Sequence, residues 1–313
     1  MRTGKKPDSQ LLQRAAGCLA GVAVGDALGG PLEGYDTEPA GRQPAQPRDK
    51  AGRDFKSIAP GDTSDDTALT RVVAESIVAR RKLDPADLAA RLAYWFHHDG
   101  LGIGSHTENV LTRISRGEDW EQAALEVQAE QPDSAGNGSL MRCAPVGLFR
   151  FRVQEMLVED SRLSSRVTHP HSYCQWSCVF VNLMIAELLA GNIVPGAFAS
   201  VMDFCSSRDD FPEEILERAH RATRTHNSND LNPTGFVLDS FECSLWALLR
   251  HRNFAQSLSA AVSLGGDADT IGAITGALAG AAYGLHAIPG RWLVQVSGWL
   301  KLQDIAIEII TFS

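Results

Sequence analysis

Two short segments, far apart in the chain, concentrate oxygen-bearing side chains at the start of apolar stretches. Residues 61–67 read GDTSDDT and residues 264–272 read LGGDADTIG. Ser, Thr and Asp are the preferred helix caps, and Asp in a first turn complements the macrodipole, so both segments read as helix N-termini. A cap needs only one such group. Ser64, Asp65, Asp66 and Thr67 in the first segment, with Asp267, Asp269 and Thr270 in the second, offer more oxygen and more negative charge than capping uses. Each segment therefore also reads as half of a cation site. Brought together without a counter-charge, the four carboxylates of Asp65, Asp66, Asp267 and Asp269 would repel one another, and a divalent cation resolves that. An oxygen-only donor set, with no His or Cys at ligand spacing, selects Mg²⁺, Mn²⁺ or Ca²⁺ over zinc. Four carboxylates suggest two ions, and paired ions roughly 3.5–4 Å apart suit hydrolysis. The second segment is not an EF-hand loop, which would want Asp or Asn where Ile271 stands and Glu where Leu278 stands.

Other segments carry weaker signals. Residues 135–145, AGNGSLMRCAP, place Gly136, Asn137, Gly138 and Ser139 ahead of a helix, where free backbone N–H groups hold an anion or a ribose hydroxyl, although Gly-Asn-Gly also makes plain turns. No Gly-Lys-Ser/Thr follows, so this is not a P-loop. His169, in the Thr-His-Pro-His run at 168–171, reads as a turn residue unless its neighbours give it chemistry. Cys174 and Cys178 form C-x3-C with no second pair nearby, and six cysteines scattered over a long chain favour reduced, mostly buried thiols over a zinc or redox site.

The elements that must position these groups are helical. Apolar residues recur with helical period over 9–29, 65–82, 85–98, 105–116, 119–131, 139–150, 172–190, 195–206, 213–225, 239–250, 254–263, 270–284 and 290–310, and no alternating strands separated by hairpin turns are found. The expected fold class is all-α. Residues 15–28 and 270–283 are rich in Gly and Ala, which costs up to about 1 kcal/mol per Gly in helix propensity and implies central helices whose backbones approach closely. Residues 36–61 hold four prolines and no apolar period, the pattern of a long surface loop, mobile or functional. No linker divides the chain, so one domain is expected over 11–313 behind an N-terminal arm at 1–10.

Of the 313 residues, 44% are hydrophobic and 21% charged, which excludes disorder as a description of the whole. A net charge of −9 argues against nucleic acid or an anionic membrane as partner. The basic start runs into Pro7 and Asp8 with no apolar stretch behind it, so a secretory signal is not expected. No segment runs to roughly 18 uninterrupted apolar residues. The expected location is cytoplasmic.

Taken in order, GCLAGVAVGDALGGPLEG (17–34), GDTSDDTALT (61–70), GNGSLMRCAPVGLF (136–149), THPHSYCQWS (168–177), TGFVLDSFECSLWALL (234–249) and LGGDADTIGAITGALAGAAYG (264–284) resemble the ADP-ribosylglycohydrolase family. The resemblance implies an orthogonally packed all-α fold, with two Mg²⁺ or Mn²⁺ ions at the floor of a cleft. It places metal ligands at Ser64, Asp65, Asp66, Asp267, Asp269 and Thr270, with Ser64 where relatives carry Thr. Glu33 corresponds to a glutamate on a mobile loop over the metals, and Asp66 or Glu33 would take or steer a proton. Substrate contacts are implied at Asn137, Gly138, Ser139, Met141 and His169. The implied activity is hydrolytic removal of ADP-ribose from a modified protein side chain at C1 of the distal ribose. A second implied reading is an immunity-type protein that occludes an ADP-ribosyltransferase toxin through its arm or its 36–61 loop. One position departs from the pattern: where some members acting on ADP-ribosyl-arginine carry Asp before an Ile-Gly pair, this chain has Gly102, with Asp99 near but not aligned.

Overall fold

The computed structural model describes residues 8–34, 59, 61–100 and 102–313. Among these the chain forms helices α1 (Ser9–Gly29), α2 (Asp65–Arg80), α3 (Pro85–His98), α4 (Ser105–Ser115), α5 (Trp120–Glu130), α6 (Ala144–Arg150), α7 (Gln154–Arg166), α8 (Ser172–Leu189), α9 (Val194–Ser206), α10 (Glu213–Arg224), α11 (Val237–Arg250), α12 (Phe254–Val262), α13 (Ala268–Tyr283), α14 (Gly290–Leu293) and α15 (Trp299–Phe312). No strand occurs among the described residues, only an isolated antiparallel bridge between Gly136 and Phe236. The all-α expectation holds. Nearly all of the arm at 1–10 and the loop at 36–61, the segments assigned to a toxin contact, lies outside the described residues.

The centre of the fold is a seam of two helices that touch backbone to backbone. Gly17, Gly21, Gly25 and Gly29 fall every fourth residue along α1 and meet Gly280, Gly276, Gly272 and Ala268 of α13 in descending order, so the pair is antiparallel. A Cβ on Gly25 would stand 1.9 Å from the Gly272 carbonyl oxygen, and one on Gly276 would stand 2.0 Å from that of Gly21. Only hydrogen fits. The helix propensity lost to glycine is offset by close packing along both helices, and α13 is buried over nearly its whole length. Ser9–Leu32 is long and apolar enough to cross a membrane by composition, yet 72% of its most apolar stretch is buried among the other helices.

The helix boundaries depart from the sequence reading where polar chemistry overrides the apolar pattern. The helix expected over 139–150 begins only at Ala144, with Pro145 in its first turn, because the N–H groups of Leu140 and Met141 both bond to the Asn137 carbonyl in a tight turn. Helix α7 occupies residues for which no helix is expected. Its buried face carries Asp160, Ser161, Ser164 and Ser165 beside Leu157 and Val158, and it is held by Arg150 on Asp160 (2.5 Å) and Asn182 on Ser161 (2.9 Å). The helix expected over 290–310 breaks between α14 and α15, where Gly298 takes a left-handed φ of 79° and the Ser297 N–H bonds to the Gly61 carbonyl.

Candidate functional site

The two acidic segments meet. Ser64 caps α2, accepting from the Asp66 N–H at 3.3 Å, which puts Asp65 and Asp66 in the first turn. Asp267 stands at the N-cap position of α13 but makes no capping hydrogen bond, and its Oδ2 instead accepts from Asn137 Nδ2 at 2.5 Å. The glycine seam delivers the start of α13 to the end of α1. There carboxylate oxygens of Asp26, Asp66 and Asp269 lie within 4.8 Å of one another, as do those of Glu33, Asp267 and Asp269.

Asp26, which the sequence reading passed over, organises this floor from within α1. Its carboxylate accepts from the Ser64 N–H at 2.9 and 3.0 Å, from the Thr67 N–H at 3.1 Å and from the Thr67 hydroxyl at 2.5 Å. These bonds fasten the N-terminus of α2 and aim Asp65 and Asp66 across at α13. The available signal was a lone Asp inside an otherwise Gly/Ala/Val helix, which has to be buried and has to be paired.

Burial, followed by the charges of Asp26, Asp65 and Asp267, pushes the Asp66 carboxyl well above the ordinary carboxylate range. Burial, then Asp66, Asp267 and Glu33, does the same to Asp269. Asp66 Oδ2 accepts from Ser64 Oγ (3.0 Å) and Thr270 Oγ1 (3.4 Å), whereas its Oδ1 is buried with no hydrogen-bond partner. An orphaned carboxylate oxygen among mutually repelling carboxylates fits a hard divalent cation, which would supply both the missing partner and the missing charge. Asp65, Asp66, Asp267, Asp269 and Thr270 all line the cleft, with Glu33 at its rim, while the Ser64 hydroxyl is engaged with Asp66.

The cleft has a volume of about 590 Å³, within the size range of small-molecule sites. Its far wall holds Gly136, Asn137, Gly138, Met141 and His169. Ser139 belongs to the same turn but faces inward, bonded to Ser165 Oγ at 2.8 Å. Cys174 and Cys178 support that turn from below, donating to the Gly136 carbonyl (3.3 Å) and to Ser139 Oγ (3.7 Å). All six cysteines are free and buried, and none joins a metal-capable group among the described residues. A third wall, residues 233–235, is tied to both sides. Pro233 O accepts from the Asp267 N–H and Gly235 O from the Asn137 N–H, each at 3.0 Å. Asp239 anchors that wall through Asn232 (2.8 Å) and Thr234 (2.7 Å), and is itself paired with Arg218 at 2.8 Å.

Gly102 lies in the cleft at φ 84°, with Asp65 Oδ1 only 3.0 Å from where a Cβ would stand. Both the left-handed backbone and the contact favour glycine there, so this position adds no carboxylate. Asp99 ends α3, its N–H bonded to the Trp95 carbonyl, and does not line the cleft. The carboxylates lining the cleft are Asp65, Asp66, Asp267, Asp269 and Glu33, with Asp26 beneath them.

Comparison with known proteins shows the family and the fold. The model of the ADP-ribosylglycohydrolase family matches residues 7–311, and the chain belongs to that family. It is 28% identical to the ADP-ribosylarginine hydrolase Tri1 of Serratia proteamaculans, over 97% of this chain and 80% of that one. It is 27% identical to the ADP-ribosylhydrolase ARH3 of Homo sapiens, over 94% and 92%. A solved structure of an ADP-ribosylglycohydrolase-related protein complex superposes with a TM-score of 0.78 at 28% identity, covering 98% of this chain and 100% of that one.

Proposed function

We propose that the protein is a metal-dependent hydrolase that releases ADP-ribose from a modified protein side chain by cleaving the glycosidic bond at C1 of the distal ribose. The observation that carries this reading is the orphaned, buried Asp66 Oδ1 at the meeting point of two acidic helix starts, on a cleft that Asn137 also lines. The names of the relatives support the substrate class.

The residues that would hold two Mg²⁺ or Mn²⁺ ions are Asp65, Asp66, Asp267, Asp269 and Thr270, with the Ser64 hydroxyl beside them. When bound, the ions polarise ribose oxygens and lower the pKa of a water in the cleft. Asp66 or Glu33, whose carboxylates are on the cleft wall, would accept the proton of the water that attacks C1 and return it to the side-chain atom that departs as its bond to C1 breaks. Asn137 holds Asp267 in place through one amide, and the glycines on either side let a ligand approach the backbone closely. Gly138 and Met141 offer backbone and apolar contact to the nucleotide.

The test is release of ADP-ribose from a modified protein with Mg²⁺ or Mn²⁺, by wild type and by Asp65→Ala and Asp267→Ala, with and without EDTA. Turnover is expected for wild type alone and only without EDTA. Full release by either variant would reject the reading.

A further inference from the structure

Arg142 is a cation at the heart of the protein. It has no exposed surface, its Nε is buried without a hydrogen-bond partner, and the carboxylate charge that acts on it is that of Asp65. Its guanidinium donates to two neutral acceptors, the Gly138 carbonyl at 2.9 Å and Thr168 Oγ1 at 2.7 Å. A buried charge is an expensive way to hold a turn, because an apolar side chain of similar volume would pack there without desolvation. What it accomplishes becomes visible at the next link: Thr168 Oγ1 is also 2.7 Å from His169 Nδ1.

Proton counting settles that contact. Arginine can only donate, so Thr168 Oγ1 accepts from it. Thr168 is fully buried, and among the described residues its hydroxyl proton has one remaining acceptor within reach, His169 Nδ1. Were Nδ1 protonated, that hydroxyl proton would be buried without a partner. Nδ1 is therefore the acceptor and the ring proton sits on Nε2. The neighbouring ring is fixed in the same way. His106 Nε2 is 2.9 Å from the Thr168 carbonyl, which can only accept, and His106 Nδ1 receives the Ser134 hydroxyl at 3.1 Å. With both nitrogens of His106 engaged, Nε2 of His169 is the one nitrogen of these two cleft-lining rings without a hydrogen-bond partner among the described residues. A Cβ on Gly138 would stand 3.2 Å from it and one on Gly136 3.7 Å, so it lies against the Gly136–Gly138 turn.

We infer that Arg142, acting through Thr168, locks His169 as the Nε2–H tautomer, so that it presents one neutral N–H donor to an oxygen of the ligand on the 136–138 turn and does not carry a proton in the reaction. Arg142 and Thr168 are thus positioning residues. Burial, followed by the charges of His106 and Arg142, also keeps the His169 ring from protonating. Burial brings Arg142 down to about 10, still well above neutrality, so it remains a donor. The identity of the ligand rests on the function proposed above; the tautomer does not.

The experiment combines ¹⁵N NMR of the imidazole nitrogens in ligand-free protein with calorimetry of ADP-ribose binding, for wild type, Thr168→Val and Thr168→Ser, with melting curves to confirm folding. Wild type should show His169 protonated at Nε2 only. Thr168→Val should lose the single tautomer and bind ADP-ribose about 10- to 100-fold more weakly, the loss expected for one hydrogen bond to a charged ligand, and Thr168→Ser should restore both. An Nδ1-protonated His169 in wild type, or a Thr168→Val protein with unchanged tautomer and unchanged affinity, would overturn the inference. Failure of wild type to bind ADP-ribose would instead count against the proposed function, since the tautomer is read without ligand.

Discussion

At the residue scale the site is a problem in electrostatics. Asp66 and Asp269 are buried beside other carboxylates, so burial and mutual repulsion disfavour their charged forms unless a cation intervenes. Replacing Asp66 with Asn removes one of the repelling charges and one ligand together. Asp66→Asn should lower cation-dependent hydrolysis by at least about 10²-fold while raising the melting temperature of the metal-free protein. A variant that melts lower than wild type in EDTA would contradict this. Asp26 acts differently, because its hydrogen bonds fasten α2. Asp26→Ala leaves the Ser64 and Thr67 N–H groups without their acceptor and should cost about 2–3 kcal/mol in urea unfolding. The ligand-bearing residues were legible in sequence because two clusters of Asp, Ser and Thr exceed what capping needs. Asp26 was not, because a single carboxylate in a Gly/Ala/Val helix looks like a break in an apolar pattern, and nothing local shows that it reaches the next helix.

At the element scale, the register of α1 on α13 fixes where the acidic clusters meet. A methyl at Gly276 would collide with the backbone oxygen of Gly21, whereas a Cβ at Gly30 meets nothing within 4 Å. Gly276→Ala should therefore destabilise by about 3 kcal/mol or more, read by urea unfolding, and weaken hydrolysis through the displaced α13 start. Gly30→Ala should stay within about 0.5 kcal/mol of wild type. Equal effects would mean that the seam does not set the register. The close approach of these helices was readable from their Gly and Ala content. Helix α7 was not, since its buried side uses serines and an aspartate satisfied by Arg150 and by residues of α8 and of the 136–143 turn, and periodicity counts apolar residues only. The turn at 137–142 and the break before α15 were hidden for the same reason. Backbone carbonyls of Asn137 and Gly61 decide them, and those partners are remote or unmarked in the sequence.

At the scale of the whole molecule, the acidic cluster couples folding to pH and to metal. For Asp66 and Asp269 the folded-state pKa lies above the unfolded one, so between the ordinary value of 3.8 and the raised value the folded state binds more protons. Stability from these groups is complete below that window and is lost as pH rises through it. Between about pH 5 and pH 8 the metal-free wild type should lose more melting temperature than metal-free Asp66→Asn, the difference isolating the acidic cluster, and added Mg²⁺ or Mn²⁺ should recover more stability in wild type at pH 8 than at pH 5, measured by thermal unfolding with and without EDTA. The carboxyls of Asp84, held low by the Asp87 N–H, and of Asp210, held low by Arg208, lose their contribution only at more acid pH, whereas His106, His169 and His171, kept from protonating chiefly by burial, add stability as pH rises through about 6.5 and cancel in the comparison of the two proteins. The fold class and the joining of remote motifs were legible because the acidic helix starts, the glycine seam and the Gly-Asn-Gly turn are each local patterns. Their supports, from Asp26 to Arg142 and Asp239, are long-range and emerge only in three dimensions. Manganese titration, followed by calorimetry or by the spin signal of the free ion, tests most directly whether the acidic helix starts form a metal centre. The account predicts two bound Mn²⁺ per chain in wild type, with occupancy lost in Asp66→Asn and in Asp267→Asn, and binding that is absent in wild type or undiminished in both variants would contradict it.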